Sequence, residues 1–327
     1  MRKFVFTCGD INGIGPEIVI KTLNRICTQK NIHFYFVCPT NVFSETIRFV
    51  KPKFKYEIIK KPDKNLITQV QIIDIGNPGI TPGKPTDVSG RISFKALEYA
   101  FELTSQKIAD ALITAPISKT AFNLAGISFP GHTELLAKWS GTKDFIMMFL
   151  SKKMNAALLT IHHPIKKISG LLTEERLKKS LDIIFLSLKN DLNIQEPRIA
   201  VLGLNPHAGE NGLIGDEEEK IIKPLLKNFN QNIEGPFSPD AFFASKKYKY
   251  YDLVLGMYHD QVLIPFKMIN FSSGVNFTAG LKIVRTSPDH GVAYDIAWKN
   301  CADERSILEA YNYARLIAFN RKKNEKD

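Results

Sequence analysis

Histidine side chains follow three apolar, β-branched segments at the points where these segments end. The segments and the histidines behind them are NAALLTI with His162 and His163, RIAVLGL with His207, and DLVLGMY with His259. In open α/β sheets, ligands bind beyond the carboxyl ends of the strands. Imidazole nitrogens suit zinc and similar divalent ions, and a three-histidine set leaves one position open for a water or a substrate oxygen. The pattern favours a metal site, although it does not decide between His162 and His163.

Two carboxylates could support such a site. Asp260 follows His259 directly, and Asp240 lies nearby in the sequence. Either could bind the metal or orient a histidine. For each histidine taken alone, an ordinary loop residue with satisfied hydrogen bonds is the alternative interpretation.

Other residues have the chemistry of an anion site. Lys267, Asn276 and Arg285 fall within one stretch and could bind a phosphate and a carboxylate, although a solvated lysine is common in a chain this basic. His132 and Thr133 open a predicted helix, and a helix N-terminus attracts anions. The alternative for Thr133 is a plain N-cap.

The helices and strands that must position these residues alternate along the 327-residue chain, which predicts an α/β fold with a largely parallel sheet. A chain of this length is expected to form two domains. The loop GDINGIGPEI follows the first strand, but it lacks the third glycine of a dinucleotide fingerprint. A tight turn into a helix explains that loop.

Composition narrows the functional classes. The net charge is +11, but the lysines are scattered and form no basic stripe, so surface solvation or an acidic small substrate is favoured over nucleic acid. The four cysteines lack C-x-x-C spacing and are expected to be reduced and buried. No signal pattern or membrane-spanning run is found, so we expect a cytoplasmic protein without a membrane partner.

Taken together, the loops resemble the 4-hydroxythreonine-4-phosphate dehydrogenase family of vitamin B6 biosynthesis. The matching blocks run from residue 9 to 295 and are GDINGIGPE, TAPISK, PGHTE, the His162 loop, NPHAGENGLIGDEE, GPFSPDAFF, MYHDQ, and VNFTAGL followed by RTSPDHGVAYD. GHTE, NPHAGE and MYHDQ together are specific.

The resemblance implies a fold similar to isocitrate and isopropylmalate dehydrogenases, with two α/β/α domains around a central cleft and no Rossmann fingerprint. The expected domains are residues 1–130 plus 285–327, and residues 131–284 with the metal-site histidines. It also implies a homodimer whose active site lies at the subunit interface. The metal ligands would be His162, His207 and His259. The substrate-binding residues would be His132, Thr133, Lys267, Asn276 and Arg285.

The implied reaction is oxidation of the 3-hydroxyl of 4-phosphooxy-L-threonine by NAD or NADP, followed by decarboxylation to 3-amino-2-oxopropyl phosphate. One divalent ion (zinc, magnesium or cobalt) per active site would stabilise the alkoxide. The general base stays open among Asp240, Asp260, Lys267 and a metal-bound water, and no cofactor-binding residue is assigned.

Two departures from the family pattern stand out. Ile11–Asn12 replace a usual proline–alanine pair, and His163 replaces a usual leucine. The rival functions are a related dehydrogenase for another phosphorylated hydroxy acid or a dihydrodiol, and a non-catalytic binder of metal or nucleic acid. Salt-sensitive DNA binding without NAD reduction would favour the binder.

Overall fold

A computed structural model describes residues 1–62, 68–128, 131–229 and 232–325. The chain forms two compact units. Unit 1 is Met1–Thr142 with Leu281–Ala318, and unit 2 is Lys143–Gly280 with Phe319–Asp327. His132 and Thr133, which fall in the predicted second domain, belong to unit 1 of the structure. Pro130 of the PGHTE block lies outside the described residues.

Unit 1 is built on a parallel sheet with the strand order β3-β4-β2-β1-β5-β12. Its strands are β1 Arg2–Thr7, β2 Ile32–Val37, β3 Tyr56–Ile59, β4 Val70–Ile73, β5 Ala111–Ile113 and β12 Arg285–Pro288. Its helices are α1 Gly15–Ile26, α2 Thr40–Thr46, α3 Asp87–Ser105, α4 Lys119–Leu124, α5 His132–Trp139 and most of α11 Arg305–Asn324. Strands β1, β2, β4 and β5 are almost wholly buried and apolar, as parallel strands covered on both faces are.

Unit 2 has a mixed sheet with the order β11-β6-β7-β10-β8-β9. Strand β6 pairs antiparallel with β11 and β7, and the remaining pairs are parallel. Its strands are β6 Ile146–Leu150, β7 Ala156–Leu158, β8 Ile199–Leu202, β9 Ile233–Phe237, β10 Leu253–Gly256 and β11 Val275–Ala279. Its helices are α6 Ile168–Leu171, α7 Glu174–Asn190, α8 Lys223–Lys227, α9 Pro239–Ala244 and α10 His259–Asn270.

The predicted α/β class is confirmed. Seven apolar segments of the sequence predict strands, and all seven contain one: KFVFTC, HFYFVC, VQIIDI, ADALITA, NAALLTI, RIAVLGL and DLVLGMY. Helix α7 begins after Thr173, whose side chain accepts a hydrogen bond from the Arg176 amide at 3.2 Å, as an N-cap should. The segment DEEEKIIKPLLKNFNQ, which predicts a helix over residues 216–231, is helical, with a π-helical stretch at Glu218–Ile222 that continues into α8. Its last two predicted positions, 230 and 231, lie outside the described residues.

A hydrophobic core holds the parallel strands of unit 2 in place. Side chains of β7, β8 and β10 pack with Phe242 of α9 and with Val262 and Phe266 of α10. Helix α10 therefore starts at a position set by buried contacts. Cys8 and Cys38 are buried free thiols, but Cys301 is exposed, so the expectation of burial is wrong for Cys301. Within the described ranges, no helix is both long enough and apolar enough to span a bilayer.

One buried histidine of unit 1 predicts a pH effect on stability. Burial lowers the pKa of His33 to about 4, and its Nε2 pairs with the Gln71 side-chain oxygen at 3.2 Å. Between pH 6.5 and 4 the unfolded chain binds a proton at this site and the folded chain does not, so stability falls as pH falls. We expect His33 to contribute about 1.4 kcal/mol per pH unit in this window. Urea unfolding of wild type and His33→Gln across the window measures the contribution, and equal slopes would contradict it.

Candidate active site

The three predicted strand ends are neighbours in the sheet of unit 2. Strand β10 lies between β7 and β8 and is parallel to both, with Val254 opposite Ala156 and Ala200. Their carboxyl ends therefore meet at one edge, as the sequence predicted. His259 begins α10 directly after the central strand.

The structure places His162 and His163 in different surroundings. The rings of His162 and His259 lie 6.0 Å apart between centroids. His163 instead lines a cavity of about 490 Å³, with Arg176 and Lys179 of α7 on its wall. His162 is thus the member of the pair that lies beside His259.

The sequence left the role of Asp260 open, and the structure shows one of its contacts. Its carboxylate oxygen lies 2.6 Å from Nδ1 of His259. This contact holds the imidazole and leaves Nε2 as the nitrogen that can bind a metal. In the structure, Asp260 orients a histidine.

Asp240 lies in the first turn of α9, near His207. A 2.6 Å hydrogen bond from the Ser238 hydroxyl is the largest of the effects that lower the pKa of Asp240 below its usual value. A carboxylate with a lowered pKa stays ionised and takes up a proton poorly. This environment makes Asp240 a poor general base.

His162 and His259 offer two imidazole nitrogens of the kind that binds a divalent metal. Among the residues that the structure describes, no three His, Cys, Asp or Glu side chains lie together closely enough to hold a metal ion. His162 and His259 come together within one chain, and His207 does not join them.

The predicted anion-binding residues of unit 1 form a buried cluster. Arg285, only 2% exposed, donates to the Thr114 hydroxyl from Nε at 3.1 Å and from Nη2 at 2.8 Å. Its Nη1 donates to Thr133 Oγ1 at 3.5 Å. Burial lowers the pKa of Arg285 to about 9, while the charge of Glu134 opposes the shift, so the side chain is cationic at neutral pH. His132, Thr133 and Arg285 are thus brought together, as predicted for a shared ligand.

His132 is held neutral in this cluster. Burial, and secondarily the charge of Arg285, lower its pKa well below the usual value. Its buried Nε2 has no hydrogen-bond partner in the described part of the chain. Such an atom is available to a ligand. The N-cap alternative for Thr133 is wrong, because α5 begins at His132 and its N-cap is Gly131.

Unit 2 carries the other two predicted anion-binding residues. Asn276 lies on β11, and its buried side-chain oxygen has no partner among the described residues. Lys267 is exposed in the last turn of α10. Asn276 therefore presents a buried acceptor, and Lys267 presents a solvent-accessible charge.

The glycine-rich loop after β1 is stabilised by its own side chains. Asp10 accepts hydrogen bonds from the Tyr294 hydroxyl at 2.7 Å and the Ser89 hydroxyl at 3.0 Å. A Cβ atom on Gly15 would lie 2.1 Å from the Cys8 carbonyl oxygen, so only glycine fits. Asn12, at the departure from the family pattern, donates to the Lys84 carbonyl oxygen at 2.9 Å and accepts from the Thr81 amide at 2.8 Å. These contacts support the structural reading of the loop.

The sequence reasoning missed Thr114 and Glu134 as neighbours of Arg285. Both lie in blocks that carry the resemblance, Thr114 in TAPISK and Glu134 in PGHTE. Their presence in these motif blocks is the sequence feature that could have pointed to a role in the site. Their spatial relation to Arg285, well over 100 residues away in sequence, was not readable.

Comparisons with known proteins identify the family of the chain. Residues 30–314 match the family model described as pyridoxal phosphate biosynthetic protein PdxA. The chain is 38% identical over 325 residues to 4-hydroxythreonine-4-phosphate dehydrogenase from Sulfurihydrogenibium sp., covering 98% of this chain and 100% of that one. It is 37% identical over 327 residues to D-threonate 4-phosphate dehydrogenase from Cupriavidus necator, covering 96% of this chain and 97% of that one.

A crystal structure of 4-hydroxythreonine-4-phosphate dehydrogenase from Klebsiella pneumoniae superposes with a TM-score of 0.83 at 34% identity, covering 97% of this chain and 100% of that one. The match spans nearly the whole of both chains. The chain therefore belongs to the pyridoxal phosphate biosynthetic protein PdxA family and is an oxidoreductase, as the resemblance predicted.

Proposed function

We propose that the chain oxidises the 3-hydroxyl of 4-phosphooxy-L-threonine with NAD or NADP, giving 2-amino-3-oxo-4-phosphooxybutanoate. This β-keto acid then loses carbon dioxide to give 3-amino-2-oxopropyl phosphate, in pyridoxal phosphate biosynthesis. The observation that carries the proposal is the meeting of three histidine-bearing strand ends, β7, β10 and β8, at one sheet edge. The 38% identity to a relative named for this reaction supports it.

His162, His207 and His259 would hold the metal. Their nitrogen donors favour zinc or cobalt over magnesium, which prefers oxygen ligands. When bound, the metal supplies Lewis-acid stabilisation for the oxygen of the reacting alcohol. Asp260 keeps the His259 ring in place through its 2.6 Å contact with Nδ1.

The anion-binding residues would hold the substrate's charged groups. Arg285 offers a planar cation held in place by Thr114, which suits a phosphate or carboxylate. His132, kept neutral, can accept a hydrogen bond from the substrate or donate one to it. Lys267 would add a positive charge and Asn276 a hydrogen-bonding amide. For the general base, the surroundings of Asp240 and Asp260 leave Lys267 or a water as the better candidates.

D-threonate 4-phosphate is the second candidate substrate. The Cupriavidus necator relative named for it is 37% identical, almost as similar as the first. The two substrates share the phosphate, the carboxylate and the 3-hydroxyl, and they differ in the group at C2, an amine or a hydroxyl. The residues discussed above recognise the shared groups, so they fit either substrate.

The decisive experiment measures NADH or NADPH formation from each substrate, with and without a chelator. We expect turnover of 4-phosphooxy-L-threonine that the chelator abolishes and that added zinc or cobalt restores. Turnover of D-threonate 4-phosphate alone would identify this compound, and not 4-phosphooxy-L-threonine, as the substrate. Turnover that no chelator affects would contradict the proposed dependence on a metal.

We also propose that the protein is a homodimer whose active site lies at the subunit interface. Helix α10, which starts at His259, and the residue that caps its C-terminus carry an exposed apolar stripe of Ile264, Met268 and Phe271, at 59, 81 and 93% exposure. Their spacing places them on one face. A contiguous exposed apolar face of this kind is typical of an interface. A second copy on this face would reach the metal site, which fits the incomplete ligand set of the single chain.

Charge on the stripe should separate the subunits. The double variant Met268→Glu and Phe271→Glu is expected to elute as a monomer and to lose metal-dependent activity, because burying two carboxylates in an apolar interface is unfavourable. Light scattering measures the mass. Leu186→Glu, at an isolated exposed leucine of α7 (56% exposed), is the matched control and should leave the mass unchanged. An active dimer in the double variant would contradict the proposed interface.

A further inference from the structure

The segment that carries His207 has an unusual backbone. Residues 207–211 have five consecutive positive φ angles, of 53, 52, 78, 43 and 56°. Four of the five residues are not glycine, and this region is unfavourable for side chains with a Cβ atom. Because local preference does not stabilise this conformation, contacts from other segments must hold it.

Glu218 supplies such contacts. It is fully buried, and its two carboxylate oxygens accept from the backbone amide of Asn205 at 2.7 Å and from the Asn205 side chain at 2.9 Å. The carboxylate also fills the inside of the loop, since a Cβ atom on Gly209 would lie 2.6 Å from it. Glu217 extends the network, accepting from Asn205 at 2.7 Å and from the Ser169 hydroxyl at 2.6 Å.

Gln261 joins the His207 segment to the His259 segment. Its side-chain oxygen accepts from the Met257 amide at 2.7 Å, two residues before His259. Its side-chain nitrogen donates to the Gly203 carbonyl oxygen at 2.7 Å, where the chain leaves β8. One side chain thus bridges two strand ends beyond the last ladder contacts of β8 and β10.

We propose that Glu218 and Gln261 are positioning residues of the metal site, which fix His207 and its spacing from His259. The proposal rests on the proposed function of the three histidines as metal ligands. Neither residue would touch the metal. Glu218 holds the left-handed loop from within, and Gln261 connects Gly203, at the end of β8, to Met257, just before α10.

The test uses near-isosteric variants of the full-length, metal-stripped protein. Glu218→Gln replaces one acceptor with an amide that opposes the donors of Asn205, and Gln261→Glu removes the donor to Gly203. Cobalt binding is followed by calorimetry and by the visible spectrum of the bound ion, with the melting temperature recorded in parallel. We expect both variants to stay folded, to bind cobalt roughly 10- to 100-fold more weakly, and to show a changed spectrum.

Matched controls are Glu219→Gln, at the neighbouring glutamate that pairs with Lys223, and Gln195→Glu in an exposed loop. Both should bind cobalt as the wild type does. Wild-type affinity and spectrum in Glu218→Gln and Gln261→Glu would overturn the positioning role alone. Should Glu218→Gln fail to fold, Gln261→Glu decides the question. A wild-type protein that binds no cobalt would overturn the metal site itself, and the positioning role with it.

Discussion

Replacing His162 with alanine should reduce metal-dependent turnover by roughly 10³-fold, because the loss of a metal's charge stabilisation amounts to several kcal/mol at the transition state. His162 lies beside His259, with 6.0 Å between the ring centroids. His207→Ala should have the same effect, because His207 is proposed as a ligand of the same metal. Initial rates with added zinc or cobalt, together with the metal content of the purified protein, measure both changes.

The adjacent histidine offers a matched control. His163 lines the cavity beside α7, so His163→Ala should keep the metal content and the turnover of the wild type. Both histidines lie outside the core, and both variants should fold normally. If His163→Ala lost the metal while His162→Ala kept it, the assignment of the ligand would be reversed. Full activity of His207→Ala in metal-depleted buffer would exclude His207 as a ligand.

Arg285→Lys should raise the KM for the phosphorylated substrate roughly 10- to 100-fold. A charge-assisted hydrogen bond is worth about 1.5–3 kcal/mol, and lysine cannot reproduce the planar fork of a guanidinium. The fork of Arg285 is held by three contacts with Thr114 and Thr133. A lysine would keep a positive charge near Glu134 and so leave the cluster folded.

The non-phosphorylated analogue 4-hydroxythreonine shows which anionic group Arg285 binds. If Arg285 binds the phosphate, the substitution and the removal of the phosphate should be non-additive, so KM for the analogue should hardly change. An equal loss with both substrates would contradict a phosphate contact. Arg305→Lys, at an exposed arginine that pairs with Asp303, is the control and should leave both KM values unchanged.

Much of the fold was predictable because its determinants are local. Seven apolar runs became strands, and the N-cap at Thr173 begins α7. Strands β3, β6, β9, β11 and β12 were missed. The pairing of β6 with β11, for example, joins residues far apart in sequence, such as Phe149 and Asn276. The π-helical stretch before α8 was also missed, because the sequence of this segment has the pattern of an ordinary helix.

The candidate site, like the fold, was predictable only in part. Sequence alone identified the histidines that follow β7, β8 and β10, because a strand and the residue that ends it are read from a few neighbouring positions. It could not separate His162 from His163, since a one-residue offset in a loop has no periodicity. It also gave no indication of the left-handed loop around His207 or of the carboxylate that fills it.

By itself, then, the sequence determined which side chains stand at strand ends, and the resemblance of its motifs identified the family. Only the tertiary structure decided that β10 lies between β7 and β8 and that Arg285 meets Thr114 and Thr133. The physical reason is that strand order and buried polar clusters depend on packing between segments that are far apart in sequence, such as Thr114 and Arg285 with a separation of 171 residues. The residue pattern of a single segment does not indicate which distant segments pack against it.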